Sequence, residues 1–268
     1  LLRRLQLHYR KKAIKIFGKK RGLVVAFLGP DGAGKSTTIA AIRTRLQELG
    51  IGTRMAYLGP WGGSLLNLRG IFSALHLTPY RPDYKAFDKG RIAKKPGPLR
   101  GMKNVRFQLR SGLYYALLLF EMVVRWRLRV LPLLRQGKVV LSDRYLYDIL
   151  TGYKNKPIDY HLTLRRWLCR SYPRPDIGIV LDAEPEVIFA RKPQLSEQQL
   201  QQSREVYRQI AGTYGFHTLD TSRDVAATLG DFERRILPLI LAGLDGGKNA
   251  GTAIASRRRS RPLEPAGL

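Results

Sequence analysis

The sequence predicts an α/β fold of three layers, in which a parallel sheet is covered on both faces by helices. Three observations point to it. Runs such as "GLVVAFLG" and "DIGIVLD" are continuously apolar, as strands buried on both faces must be. Such runs alternate with helix-like segments along the chain, an order that requires crossover connections within a parallel sheet. A glycine-rich stretch, "FLGPDGAGKST", joins the first of these runs directly to the first helix-like segment.

The bulk numbers fit one such domain with tails. The chain has 268 residues, 44% of them hydrophobic, enough for a sizeable core. It carries 48 Lys and Arg against 20 Asp and Glu, a formal charge of +28, which predicts attraction to a polyanion: nucleotides, nucleic acid or an anionic membrane face. Residues 1–21 hold nine basic residues and no acid. The single cysteine, Cys169, has no partner for an internal disulfide, which fits a reducing, cytoplasmic setting. The longest apolar stretch, "GLYYALLLFEMVV" from Gly112, is too short to span a bilayer and is interrupted by Glu121, so a buried helix is expected there. The N-terminal stretch is basic throughout and lacks an apolar h-region, so no signal peptide is expected, although the chain begins with Leu.

Taken in order, the first segment (1–21) places Leu2, Leu5, Tyr9, Ala13 and Ile16 on one face and Lys and Arg on the other, an amphipathic basic helix. Three readings stand for it: docking on its own domain, attachment to the inner face of a membrane as a peripheral helix, or nucleic-acid binding. A domain over 22–243 follows. Its first strand is "GLVVAFLG", its first helix runs from Lys35 to about Leu49 and stops at Gly50, and "GTRMAYLG" is the second strand. An irregular basic insertion is expected over 60–104, rich in Gly, Pro, Lys and Arg. A long helix from about Val105 towards Leu131 is disturbed by Pro132, and "GKVVLSDRY" is the third strand. "YPRPDIGIVLDAEPEVIFARK" supplies a strand, an acidic turn and a helix with Pro185 in its first turn. Ser196 and Gln199 form a capping-box pattern for the next helix, "FHTLD" is the last strand, and a final helix covers about Val225 to Leu241. The tail, 244–268, is too rich in Gly, Ala, Ser and Arg to bury a core and is expected to be disordered.

Gly29, Gly34, Lys35 and Ser36 have the phosphate-loop spacing, directly after a strand and opening a helix. Glycines let backbone N–H groups converge on a β-phosphate, and the helix N-terminus adds partial positive charge. Lys35 is placed to bridge β- and γ-phosphates, and the Ser36 hydroxyl to bind magnesium. The loop therefore reads as a nucleoside triphosphate site. Asp143 and Arg144 end a strand at the carboxyl edge of the sheet, where ligands of open α/β sheets bind; the alternative is a pair that caps the following helix.

"FLGPDGAGKST", "SDRY", "VLDAEPEV" and "SREVYRQIA…FHTLDTS" occur in the order and rough spacing of the thymidylate kinase family, a resemblance that covers about Gly22 to Leu241. It implies a P-loop fold with a five-stranded parallel sheet, and transfer of the ATP γ-phosphoryl group, with Mg2+, to an acceptor bound opposite. Lys35 and Ser36 then hold ATP and metal. Asp31 matches the position that contacts the acceptor's sugar, and Asp143 the aspartate near metal and acceptor. Arg144 matches the arginine that grips the acceptor phosphate, and Arg191, at the entry to the mobile lid, would reach the transferring group. An ordinary surface arginine is the other reading of Arg191, and Lys192, Arg204 and Arg208 are weaker candidates. The candidate nucleotide-binding set is Gly29, Asp31, Gly32, Ala33, Gly34, Lys35, Ser36 and Thr37. The candidate catalytic residues are Lys35, Asp143, Arg144 and Arg191, and the candidate metal ligands Ser36 and Asp143. "LDTS" near Asp220 matches the segment beside the adenine, and reads equally as a plain turn.

Three stretches depart from the family. "LGPWGGS" stands where an Arg-Glu-Pro turn helps build the acceptor pocket. "LYDILTGYK", with Asp148 and Tyr153, replaces the glutamine-containing segment that reads thymine. The lid, "KPQLSEQQLQQS", is short and lacks a run of arginines. The leading expectation is thus a phosphotransferase acting on a small or chain-end acceptor such as a sugar, glycolipid or polysaccharide terminus. A thymidylate kinase converting dTMP to dTDP is the alternative. An ATP-gated nucleic-acid-binding or scaffold protein is the rival from another class, against which an acceptor-gripping Arg144 argues. A homodimer is a further partner state the reading allows.

Overall fold

The computed structural model describes residues 22–60, 62, 65, 102–151, 162–193 and 197–245. The helix expected over 1–21, most of the 60–104 insertion, Tyr153, Ser196 and nearly all of the 244–268 tail lie outside the described residues.

Strands β1 (Leu23–Leu28), β2 (Thr53–Tyr57), β3 (Val139–Asp143), β4 (Ile177–Asp182) and β5 (His217–Asp220) form one parallel five-stranded sheet in the order β2-β3-β1-β4-β5. Helices α1 (Lys35–Glu48), α2 (Met102–Arg125), α3 (Leu131–Arg135), α4 (Leu162–Ser171), α5 (Pro185–Arg191), α6 (Glu197–Tyr214), α7 (Val225–Arg235) and α8 (Leu237–Asp245) cover it.

The apolar run of β1 is buried on both faces, and its side chains divide by parity. Leu23, Val25 and Phe27 join Ile39, Ile42 and Leu46 of α1, Phe232 of α7 and Ile240 of α8 in one core. Val24, Ala26 and Leu28 join Tyr115, Leu118 and Met122 of α2, Leu168 of α4 and Ile210 of α6 in the other. Two cores on a central strand are what a period of two produces when both faces are covered.

Helix α1 ends as the sequence predicts. Gly50 has φ 72°, and the Gly50 and Ile51 N–H groups donate back to Gln47 O and Leu46 O, closing the last turn. The apolar stretch from Gly112 behaves differently from the buried helix expected. Tyr114, Tyr115, Leu118 and Met122 are buried, whereas Leu113 and Phe120 are exposed, so α2 buries one face. Glu121, read as an interruption, is wholly buried. Near Pro132 the helix widens into a π-helical turn, Trp126–Val130, where the Leu131 N–H reaches back five residues to Trp126 O. The widening comes just before the residue that has no N–H to offer.

The final helix expected over Val225–Leu241 is two helices, α7 and α8, broken at Ile236. Pro238 is the reason: without an N–H it cannot continue the ladder, and it fits a first turn instead. Asp224 caps α7 by accepting from the Ala227 N–H at 2.7 Å. Helix α8 runs to Asp245, two residues past the boundary expected at 243. Among the described residues no helix is long and apolar enough to cross a membrane.

Candidate active site

The site lies at the carboxyl edge of the sheet, where β1 gives way to the loop 29–34 and then to α1. Gly29 has φ 145°, and a Cβ there would stand 2.6 Å from Leu181 O, so only glycine lets the loop leave β1 this close to β4. Gly34, with φ 74°, caps α1 without any side-chain hydrogen bond. The amides of the first turn, including those of Ser36 and Thr37, are thus donors without helical partners at the positive end of the helix. Ser36 and Thr37 are exposed, as residues offered to a ligand must be.

Lys35 is 8% exposed, and its Nζ donates to Gly29 O (2.8 Å) and Pro30 O (2.7 Å), with the Asp31 carboxylate at 3.9 Å. Burial, then the nearby Arg144 charge, bring its pKa down to about 8, while Asp31, Asp148 and Asp143 pull the other way. Its ammonium group sits among phosphate-loop carbonyls, inside the ring of backbone that a phosphate would enter.

Asp143 ends β3 and pairs in register with Phe27 of β1 and Tyr57 of β2. Its Oδ1 is buried and has no hydrogen-bond partner among the described residues. A carboxylate oxygen in that state fits a cation or a bound hydroxyl. Among the described residues no group of three or more His, Cys, Asp or Glu could hold a metal by itself. Magnesium, which takes few protein ligands and completes its shell with water and phosphate oxygens, is the metal that this sparse donor set fits.

Arg144 follows with φ 65°, the one described non-glycine residue with a positive φ. Its N–H donates to Phe27 O (2.9 Å), and the buried Ser142 hydroxyl donates to Arg144 O (2.6 Å), which together hold the left-handed turn. The guanidinium then meets two carboxylates. Nη1 pairs with Asp148 Oδ2 at 2.8 Å, and Nη2 pairs with Asp31. Asp148 is 1% exposed and also accepts from the Tyr207 hydroxyl of α6 at 3.2 Å. Burial raises the Asp148 pKa, and Arg144 opposes the rise. Arg144 therefore bridges Asp31 of the loop after β1 and Asp148 of the short 3-10 turn Leu146–Thr151 that follows.

Arg191 ends α5 and is exposed; its Nη1 stands 3.6 Å from the point a Cβ on Gly34 would occupy, over the phosphate loop. Arg204 and Arg208 are used otherwise. Arg204 pairs with Asp182 (2.6 Å) and Glu184, and Arg208 with Asp182 (2.9 Å), fastening α6 to the end of β4.

The structure thus gathers Asp31, Lys35, Asp143, Arg144 and Arg191 around one loop, and adds residues that spacing did not single out. Tyr207 orients Asp148. Thr221, in the "LDTS" turn, is buried and directs its hydroxyl to Ala33 O (3.0 Å) and Asp182 O (3.1 Å), tying the phosphate loop to β4 and β5. The Glu121–Arg125 pair holds the backbone after β2. In sequence, only the four-residue spacing of Glu121 and Arg125 within an apolar helix hinted at such a pair.

A phosphate loop on the central strand of a parallel sheet, a buried lysine inside it and an Asp-Arg pair on the adjacent strand define a P-loop phosphotransferase. No family model matches the chain. It is 25% identical over 228 residues to a probable thymidylate kinase of Pyrobaculum aerophilum, covering 80% of this chain and 97% of that protein. It is 26% identical over 231 residues to the thymidylate kinase of Leptospira interrogans, covering 86% and 89%. A thymidylate kinase of Xanthomonas campestris is 25% identical over 221 residues, covering 78% and 80%. The chain is thus similar to thymidylate kinases over most of its length, and it is a kinase of the P-loop type.

Proposed function

We propose that the protein transfers the γ-phosphoryl group of ATP to a nucleoside monophosphate, with dTMP the first acceptor to test. One observation carries the acceptor class: Arg144, locked in a left-handed turn at the sheet edge, presents one arm to buried Asp148 and the other to Asp31, which is 44% exposed. The second arm opens to solvent, where an incoming phosphate can take the place of a carboxylate with the same fork geometry. The names of the relatives in Pyrobaculum, Leptospira and Xanthomonas supply the nucleotide.

The chain's own groups divide the work. The amides of Gly32 and of 34–37 and the Lys35 ammonium bind the ATP phosphates, Lys35 exchanging its loop carbonyls for phosphate oxygens. Arg144 orients the acceptor, and Arg191, above Gly34, adds positive charge where the transferring group passes. Ser36 and Asp143 would hold magnesium, which when bound neutralises charge on the β- and γ-phosphates.

A second reading, a sugar, glycolipid or polysaccharide terminus as acceptor, draws on the pocket side. The segment after β2 and the segment after Arg144 lack the residues expected to read thymine, and Arg125 is turned inward to backbone carbonyls. Specificity against isosteres needs placed hydrogen-bond partners. The basic segment 1–21 would suit an anionic, membrane-proximal acceptor.

Steady-state kinetics with ATP, magnesium and dTMP separate the two. Turnover of about 1 per second or more at sub-millimolar dTMP, with other pyrimidine monophosphates rejected, is the expected result. No dTMP-dependent ADP formation, against turnover of a sugar or glycolipid acceptor, would establish the second reading instead.

A further inference from the structure

Glu121 and Arg125 stand one turn apart on α2 and are 0% and 1% exposed. Arg125 Nε and Nη2 grip Glu121 Oε1 (3.1 Å) and Oε2 (2.6 Å). Nη1 of the same guanidinium donates to Gly59 O (3.0 Å) and Gly62 O (2.8 Å), with Tyr57 O at 3.5 Å. Glu121 Oε1 accepts in turn from the Leu65 N–H at 2.9 Å. One buried ion pair thus binds four points of the chain between the end of β2 and residue 65.

A pair like this is an expensive way to hold a helix in a core, because two charges must be stripped of water and apolar residues of similar volume pack as well. What apolar residues cannot do is bind carbonyls and an amide. The held backbone lies against the acceptor side of the site. A Cβ on Gly59 would stand 2.9 Å from Arg144 Cβ and 2.7 Å from Tyr57 Oη, and one on Gly62 would stand 3.2 Å from Tyr57 Cε1. Gly59 is therefore packed between the Tyr57 ring and the stem of Arg144, and Gly62 lies against the same ring.

We infer that Glu121 and Arg125 are positioning residues that fix the backbone at Tyr57, Gly59, Gly62 and Leu65, so that the turn after β2 beside Arg144 forms one wall of the acceptor pocket, and so govern acceptor binding without touching the acceptor. The inference rests on the reading that the acceptor is a nucleoside monophosphate at Arg144. Among the described residues the pair's hydrogen bonds run to Tyr57, Gly59, Gly62 and Leu65 and none to the phosphate loop, so ATP binding is expected to be independent of it.

The test compares wild type with Glu121→Gln and with the double variant Glu121→Met/Arg125→Met, which replaces both charges at similar volume. Amide hydrogen exchange is measured on the ligand-free proteins, and KM for dTMP and Kd for ATP follow. Exchange at Leu58, Gly59 and Gly62 should accelerate about tenfold or more, with Val25 and Leu141 unchanged, and the dTMP KM should rise about tenfold while the ATP Kd stays within about twofold. Exchange at wild-type rates in a folded variant overturns the inference. So does faster exchange with an unchanged dTMP KM, since the segment would then be no wall of the pocket. Should the double variant not fold, Glu121→Gln, which keeps the shape and part of the hydrogen bonding, decides on the same readouts. If wild type does not turn over dTMP, the nucleotide reading fails on its own, and the exchange comparison still decides whether the pair holds the segment.

Discussion

Replacing Thr221 by Val removes a single hydroxyl and keeps the shape of the side chain. That hydroxyl reaches two carbonyls, Ala33 O at 3.0 Å and Asp182 O at 3.1 Å. Asp182 O keeps a second donor, the Thr221 N–H at 2.8 Å, so the loss falls on the phosphate-loop carbonyl of Ala33. Leaving one buried acceptor without its partner costs about 1–2 kcal/mol. If the loop keeps its conformation, the cost appears in the fold, and for a domain of this size it lowers Tm by about 2–8 °C. If the loop relaxes to recover water, the cost appears on ATP binding as a Kd raised about 5- to 30-fold. Thermal melts with and without ATP, together with nucleotide titrations, apportion the two, and Thr221→Ser should restore both. A Thr221→Val protein that melts within about one degree of wild type and binds ATP within about twofold would refute the coupling of the turn after β5 to the loop.

Lys35→Ala should abolish transfer while the fold persists, because the ammonium neutralises charge between β- and γ-phosphates; wild-type turnover would refute the site. With the Lys35 pKa near 8, the lysine is charged below that pH and loses its proton above it, so ATP affinity should hold to about pH 8 and fall about tenfold per pH unit beyond, and a flat profile to pH 9.5 would contradict it. Arg144→Lys keeps a cation beside Asp148 but loses the fork, and it should raise the acceptor KM about tenfold with ATP affinity intact; the opposite pattern would reverse the division of the site. Deleting residues 1–21 should remove binding to anionic vesicles, at about 1 kcal/mol per basic residue near the surface, and co-sedimentation unchanged by the deletion would dismiss that segment as a membrane anchor.

What the sequence made readable follows from which interactions are local. The two-faced burial of β1, the stop at Gly50 and the start at Pro185 are written within a few residues, because a strand period, a left-handed glycine and a fixed proline φ act on their own neighbours. The phosphate loop is equally local, since its glycines, Lys35 and Ser36 are consecutive. Long-range pairings left no such trace. Nothing near Thr221 in sequence announces Ala33, and nothing near Tyr207 announces Asp148. Glu121 read as an interruption because hydropathy scores a carboxylate without knowing that Arg125 and a backbone N–H will meet it. The break at Ile236 was within reach, since Pro238 is local, but apolar periodicity across it outweighed the missing N–H.

The acceptor half depends most on such long-range terms, and Arg144 shows how. A non-glycine residue at φ 65° carries strain, and the chain accepts it here because Ser142 Oγ and Phe27 O fix the turn. The reward is direction: the guanidinium lies between Asp31 of the loop before α1 and Asp148 of the 3-10 turn. Its Asp148 arm is enclosed, with a tyrosine hydroxyl completing the buried carboxylate. Its Asp31 arm is shared with Lys35 at 3.9 Å, at a carboxylate that solvent reaches. A phosphate approaching from either side meets the same exposed aspartate between two cations. On the proposed assignment of ATP to Lys35 and the acceptor to Arg144, Asp31 released by one cation would be held more firmly by the other, a route by which filling the ATP side would alter the acceptor side with no element of the sheet having to move.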